Sequence, residues 1–371
     1  MNNAHIISIG SLASFSRGLT YSGSDEVDYS SNVVLRSNNI DLATNTLNFD
    51  ELKYISDAIN IPEDKKLQRN SIFMCMSNGS KQHLGKVAFI DRDYPYAFGG
   101  FMGLIKPKED IIIPKLLYYY FCSSKFKGFL SSIGNGANIN NIKFVDIAKD
   151  YISVPEKTTQ QSIIAELDKI NELIRLKKEQ LKDYDNLAQS IFYEMFGDPV
   201  ENEKGWEVKK FANLYKLKSG DNLSAKNFVE GEIPVYGGNG ISGYHNDFNM
   251  DGDFIIIGRV GVYCGNVREV HGKFWLTDNA FQLFYNREIQ YPCFIHYLLE
   301  ILDLHKYANA AAQPVISNLT LKDVEIIIPP LPLQQLFAQR IELIEQQKAE
   351  IQSTIADLET LLASRMQYWF D

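Results

Sequence analysis

No apolar run in these 371 residues approaches the ~20 that a membrane span needs, and the N-terminus lacks the basic, then apolar, then small-residue order of a secretion signal. A cytoplasmic chain is expected. Cysteine is scarce and scattered: Cys75, Cys122, Cys264 and Cys293 form no C-x-x-C pair, which argues for reduced, buried thiols and against a disulfide framework. None of the six histidines lies three or four residues from another, so metal-ligand spacing is missing and no metal site is expected.

Catalytic signatures are missing as well. There is no G-x-x-x-x-G-K-[ST] phosphate loop and no G-x-S-x-G nucleophile context. Nor is there an Asp/Asn-Pro-Pro-aromatic tetrapeptide or a nuclease-like cluster of carboxylates and lysine. Gly238-Asn239-Gly240-Ile241-Ser242-Gly243 matches G-x-G-x-x-G by letter. That motif binds dinucleotides only when it joins a strand to a helix, and Tyr244-His245-Asn246-Asp247-Phe248-Asn249 is poor helix sequence. A turn-rich loop is the expectation. The chain by itself is expected to catalyse nothing.

An excess of positive charge is also lacking. The net charge is −9 and the pI about 5.3. Residues 1–150 carry 16 basic against 15 acidic side chains, and 151–196 carry 6 against 8. Residues 197–330 carry 12 against 17, and 331–371 carry 3 against 6. Neither globular segment is strongly basic, so tight binding to DNA would draw on another chain to neutralise phosphates.

What the sequence does contain is a repeat. Val154-Pro155-Glu156-Lys157-Thr158-Thr159-Gln160-Gln161 lies 174 residues before Ile328-Pro329-Pro330-Leu331-Pro332-Leu333-Gln334-Gln335. Without a gap, Leu167 then meets Ile341, Ile170 meets Ile344, Leu187 meets Leu361 and Phe196 meets Phe370. Upstream, Pro114-Lys115-Leu116-Leu117-Tyr118-Tyr119 resembles Pro292-Cys293-Phe294-Ile295-His296-Tyr297. A period this long marks a duplicated domain rather than a solenoid.

Each repeat ends in a helix. In the first, Ile163, Leu167, Ile170, Ile174, Lys177, Leu181, Tyr184, Ala188, Ile191 and Met195 step by alternating fours and threes. The second runs Phe337, Ile341, Ile344, Lys348, Ile351, Ile355, Leu358, Leu362, Arg365, Trp369. A mean spacing of ~3.5 keeps one seam toward a partner helix, so the two are expected to pair. Lys177 and Lys348 interrupt the seams and can set register. The globular parts alternate short β-rich runs, such as Ser71–Met76 and Asp253–Ile257, with loops rich in Gly, Asn and Ser. Each closes on a short helical stretch, around 114–130 and 292–307. The predicted class is α+β: domains at 1–150 and 198–326, helices within 151–197 and 327–371.

At this point the chain resembles a known family, the specificity subunits of Type I restriction-modification systems. The likeness covers essentially the whole chain. Its most specific parts are the paired Val/Ile-Pro…Gln-Gln openings and the Phe196-Gly197-Asp198-Pro199 exit leading to Trp206-Glu207-Val208. Pro234–Tyr244, Ile257-Gly258-Arg259-Val260-Gly261 and Trp275-Leu276-Thr277-Asp278-Asn279 also look familiar, with Leu35–Ile40 and Gly85-Lys86-Val87 a looser match in the first domain. The resemblance implies two target-recognition domains, each reading half of a bipartite, asymmetric site on double-stranded DNA. It implies two helices packed as an antiparallel coiled coil with pseudo-two-fold symmetry, acting as a ruler and docking two methyltransferase subunits. S-adenosylmethionine and ATP would belong to partner subunits, including a restriction subunit where one joins, and not to this chain. The alternative from another class is a coiled-coil assembly protein that reads no sequence; an enzyme acting alone in the loops is a third.

Candidate DNA contacts are polar and cationic loop residues, since base edges and phosphates are met by such side chains on loops. They are Arg36, Asn38, Ser77, Asn78, Ser80, Lys81, His83 and Lys86 in the first domain, and Asn239, Ser242, Tyr244, Arg259 and Asn279 in the second. For the asparagines, turn formation competes with that role.

Overall fold

The computed structural model describes residues 4–133, 141–309 and 313–371. Its contacts divide the chain into two compact units, residues 1–177 with 354–371, and residues 178–353. This division cuts both long helices, where the sequence pattern places boundaries at their ends. The reason is that each unit contains the start of one helix packed against the end of the other.

In the first unit, β1 (His5–Ser8), α1 (Ile9–Leu12) and β2 (Ala13–Arg17) lead into β3 (Glu26–Val27), β4 (Asn32–Leu35) and β5 (Lys53–Ile55). A hairpin of β6 (Ser71–Cys75) and β7 (Val87–Ile90) follows, then β8 (Ala97–Phe98) and β9 (Met102–Pro107). Helices α2 (Pro114–Cys122), α3 (Ser124–Ile133) and α4 (Phe144–Ile147) precede β10 (Tyr151–Val154) and the long α5 (Lys157–Phe196). Strand orders are β2-β9-β6-β7 and β3-β5-β4-β8, while β10 returns antiparallel to β1.

The second unit repeats the plan. It runs β11 (Glu207–Lys210), α6 (Phe211–Leu214), β12 (Lys216–Ser219), β13 (Ile233–Gly237), β14 (Gly240–His245), β15 (Met250–Gly258), β16 (Val267–Leu276) and β17 (Ala280–Phe284). Helices α7 (Pro292–Ile301) and α8 (Asn318–Leu321) lead to β18 (Glu325–Ile328) and the long α9 (Leu331–Phe370). Here one six-stranded sheet has the order β12-β17-β15-β16-β13-β14, and β18 pairs antiparallel with β11. The ten-residue β16 does the work of β7 and β8 together: it pairs antiparallel with β15 and parallel with β13, as β7 pairs with β6 and β8 with β4.

The helices begin and end where local chemistry requires. Pro332 occupies the first turn of α9, where a missing N–H costs little. Gly197 ends α5 with φ +76° and donates its N–H to Tyr193 O at 2.9 Å. Lys204 Nζ donates to Glu194 O (2.5 Å) and Met195 O (3.2 Å), and Trp206 Nε1 donates to Phe196 O at 2.7 Å, so the last carbonyls are satisfied.

Pairing in each unit is antiparallel. In the first, Glu166 accepts from Arg365 and, at 2.9 Å, from Trp369 Nε1. In the second, Lys348 Nζ lies 2.8 Å from Asp185 and Arg340 3.9 Å from Glu194. Of the seam positions, Ile163, Leu167, Ile170, Ile174, Ile341, Ile344, Ile351 and Ile355 are buried, while Leu181, Ile191, Leu358 and Leu362 are partly so. Burial pulls the ammonium of Lys348 toward neutrality, but Asp185 and Glu345 outweigh it and raise its pKa. The helix ends are sealed by aromatic rings: Phe196 lies 4.8 Å from Phe294 and 5.4 Å from Phe337, and Phe370 lies 6.0 Å from Tyr120. Emptying one such fully buried ring site costs about 3–5 kcal/mol.

Candidate nucleic-acid interface

Three loops meet at one face of each unit, and the backbone frame that holds them is the same. In the first unit Cys75 N donates to Lys86 O (2.9 Å) and Gly85 N to Cys75 O (2.9 Å), which closes the β6–β7 loop. In the second, Gly258 N donates to Asn266 O (2.9 Å) and Gly265 N to Gly258 O (2.8 Å), which closes the β15–β16 loop. Gly85 and Gly265 have φ of +78° and +91°, a region that side chains disfavour.

The turn after β8 is docked on that loop by Met76 N donating to Phe101 O at 2.9 Å; the turn after β16 is docked by Arg259 N donating to Asn279 O at 2.9 Å. Behind them Gly99 N donates to Leu35 O and Thr277 N to Tyr236 O, both at 2.9 Å. Gly18 and Gly220 pass so close to the same turns that an added Cβ would stand 2.1 Å from Gly99 O and 2.3 Å from Leu276 O. Only glycine fits there.

The side chains on this shared frame differ. Met76 of the first unit corresponds to Arg259 of the second, and Arg17 to Ser219. Arg259 Nη1 reaches Asp278 O (3.3 Å) and Ser219 Oγ (3.4 Å), and its guanidinium lies 5.4 Å from the centre of the Phe281 ring. Its Nε is buried without a hydrogen-bond partner, and so is Nε of Arg36. An unbonded buried donor costs about 1–3 kcal/mol.

A family model described as the Type I restriction modification DNA specificity domain matches residues 1–183 and 203–359. The chain belongs to this family. Among relatives of the specificity family, the Type I restriction enzyme EcoprrI specificity subunit of Escherichia coli is 28% identical over 239 residues, covering 59% of this chain and 57% of that protein. The EcoKI specificity subunit of E. coli K12 is 25% identical, covering 53% of this chain and 42% of that protein. The chain thus matches about half the length of these relatives. Two solved structures share the specificity-subunit fold at 16% identity. A Type I restriction-modification S subunit from M. genitalium has a TM-score of 0.57, covering 100% of this chain and 96% of that one. A structure from work on complex assembly and conformational transition of the type I restriction-modification system has a TM-score of 0.59, covering 99% and 97%.

Most of the residues singled out as DNA contacts of a specificity domain fall on these loops. In the first unit Asn78 Nδ2 donates to Ser37 Oγ at 3.0 Å, which ties the β6–β7 loop to the turn carrying Arg36 and Asn38. Asn38 is exposed and reaches Glu51 Oε2 at 3.3 Å. Ser77 and Asn78 are half-buried and Ser80 exposed, its N–H donating to Asn78 Oδ1 at 2.9 Å. Lys81 opens the short 3-10 turn Lys81–His83, and its side chain lies outside the described residues. His83 is half-buried with Nδ1 unbonded.

Lys86 stands apart. Its ammonium is buried, donates to Ile40 O at 2.8 Å, and is pushed toward neutrality by burial. Position in a Gly-rich loop suggested a surface cation; packing turned the side chain inward.

In the second unit Gly238-Asn239 forms a hairpin turn between β13 and β14, so the G-x-G-x-x-G letters lead into a strand and not a helix. A Cβ on Gly238 would stand 3.0 Å from Val260 O and 3.2 Å from Asn279 O, which brings Asn239, Arg259 and Asn279 together. Ser242 donates to Val235 O at 3.1 Å, and Tyr244, 55% exposed, lies farther along β14. Sequence reasoning missed three residues of the same faces. Arg268 Nη2 donates to Asn239 O at 3.4 Å, while Arg17 and Phe101 are exposed beside Gly18 and Gly99-Gly100. The close-approach glycines were the available signal.

Among the described residues no three His, Cys, Asp or Glu are grouped to hold a metal ion, and no helix is long and apolar enough to cross a membrane. Burial raises the thiols of Cys75, Cys122, Cys264 and Cys293, so none is an activated nucleophile.

Proposed function

We propose that this chain is the DNA sequence-specificity subunit of a Type I restriction-modification complex. Each unit reads one half of a bipartite, asymmetric site through its three-loop face. The carrying observation is one hydrogen-bonded frame occurring twice with different side chains on it. Identical scaffolds place the readers alike; unlike side chains read unlike bases. The long helices set the spacing of the half-sites and dock two methyltransferase subunits, which supply S-adenosylmethionine; an ATP-using restriction subunit joins them. Catalysis belongs to those partners. The acidic balance of the chain agrees with this division, because the partners contribute to phosphate neutralisation.

The test is co-expression with the cognate methyltransferase in cells free of adenine methylation, followed by methylome sequencing. The expected result is methylation at one bipartite motif with dissimilar halves. Methyl transfer from labelled S-adenosylmethionine by the purified chain alone would contradict the assignment of catalysis to the partners.

A further inference from the structure

We infer that the third residue of the turn entering β9 and β17, Phe101 in one unit and Asn279 in the other, is a base-reading position, apolar in one half-site and carboxamide in the other. The inference rests on the proposal that the loop faces meet DNA.

The two turns superpose residue by residue in their bonding. Gly99–Met102 is closed by Met102 N donating to Gly99 O at 2.8 Å, and Thr277–Ala280 by Ala280 N donating to Thr277 O at 3.1 Å. In both, the carbonyl of the third residue is held from behind by the neighbouring loop, through Met76 N and Arg259 N. The first residue is anchored to the strand beneath, Leu35 or Tyr236, and the last leads directly into the sheet. The backbone therefore has no freedom to fold the third side chain inward. Phe101 is 73% exposed, and Asn279 is exposed with no side-chain hydrogen bond among the described residues.

A phenyl ring in water forfeits the gain that burial of its surface would bring. The exposed carboxamide of Asn279 offers a donor and an acceptor side by side, which a partner can take in exchange for water. Both residues lie on a turn held between the neighbouring loop, through Met76 or Arg259, and the end of the strand beneath, through Leu35 or Tyr236. The groove chemistry of DNA suits each. A phenyl ring makes apolar contact with the 5-methyl group of thymine, and an asparagine amide pairs with N6 and N7 of adenine. Position and backbone are shared, so the difference in side chain becomes a difference in the base read.

The experiment uses the full chain assembled with its methyltransferase. Wild-type methylome sequencing defines the motif; Phe101→Ala, Asn279→Ala and Asn279→Asp are then compared with it. Thermal unfolding at the wild-type temperature checks that these exposed substitutions leave the fold intact. Phe101→Ala is expected to relax discrimination at one thymine in one half-site. Asn279→Ala is expected to relax an adenine in the other half by about tenfold or more, and Asn279→Asp to move preference there toward cytosine. For a variant that loses methylation altogether, gel shifts of the assembled complex with duplexes substituted base by base supply the readout. Selective loss at one position supports the inference, and uniform loss across the panel overturns it. Unchanged discrimination at every position in all three variants also overturns it. A wild-type complex that methylates no defined motif defeats the underlying DNA-reading proposal instead.

Discussion

Gln160 joins the start of α5 to the start of α2 through Ile113: its Oε1 accepts the Ile113 N–H at 2.8 Å, while its Nε2 donates to Ile111 O at 3.2 Å and Pro155 O at 2.8 Å. Gln334 makes the same three bonds in the second unit, accepting from Tyr291 N at 2.8 Å and donating to Ile289 O at 3.1 Å and Pro329 O at 2.7 Å. Both side chains are buried, and Ile113 and Tyr291 each precede a helix that begins with proline. The first glutamine of each Gln-Gln pair is thus the bolt between recognition domain and long helix.

Replacing Gln160 or Gln334 by leucine leaves a buried N–H and two carbonyls without partners. Each change is expected to destabilise the protein by roughly 1–3 kcal/mol. Urea unfolding followed by tryptophan fluorescence measures it. Gln161→Leu and Gln335→Leu, at the second glutamine of each pair, are the controls. An unchanged midpoint in both Gln160→Leu and Gln334→Leu would sink the bolt interpretation.

Lys86 and Arg259 should separate by salt dependence. Arg259→Gln is expected to lower the slope of log affinity against log salt by about one in the assembled complex, because one phosphate contact is lost. Lys86→Met is expected to leave the slope alone and to lower stability by freeing the Ile40 carbonyl inside the fold. Fluorescence anisotropy across a salt series distinguishes them. A reduced slope in Lys86→Met would return that lysine to the DNA interface.

Acid should loosen the first unit through Glu166. The hydrogen bond from the Arg365 guanidinium, with that from Trp369, holds the Glu166 carboxyl below its ordinary value of 4.5. A group whose pKa is depressed by folding contributes stability above the unfolded value and loses it as pH falls through the folded one. Glu166→Gln is therefore expected to be less stable than wild type at pH 7, with the gap closing below about pH 4.5. Denaturation midpoints from pH 7 to 3 provide the measurement. A gap constant over that range would mean that packing, not charge, is what Glu166 contributes.

Helix length should set half-site spacing. Deleting residues 170–176 together with 354–360 removes one heptad from each partner and keeps the seam in phase. At 1.5 Å per residue each helix shortens by ~10 Å, about three base pairs. Methylome sequencing is expected to show a shorter spacer between unchanged half-sites. Altered half-sites with an unchanged spacer would assign the helices to base reading.

Much of this was legible in the residues because it depends on periodicity and local stereochemistry. The alternating three- and four-residue steps from Ile163 to Met195 can only place one stripe on a helix. Gly197 followed by Pro199 can only end it. The 174-residue offset between Gln160 and Gln334 identifies the duplication before any fold is known. That Gly238–Asn239 is a turn and not a strand-to-helix phosphate loop was legible from the poor helix sequence after the glycines; the pairing of β13 with β14 across it was not.

Side-chain direction was not legible. Lys86 and Arg259 both sit in Gly-rich loops between strands, yet one ammonium is buried against Ile40 and the other guanidinium lies at the loop face. The correspondence of Phe101 with Asn279 is invisible in sequence, since Gly-Gly-Phe-Met and Thr-Asp-Asn-Ala share no letters; it emerges from hydrogen bonds made by Met76 and Arg259, twenty or more residues away along the chain. Sequence alone determined the duplication, the two helices and their seams, because backbone propensity and hydrophobic period act over a few neighbouring residues. Tertiary structure alone decided which loops converge and which side chains face outward, because those depend on contacts between segments whose separation along the chain carries no local signal.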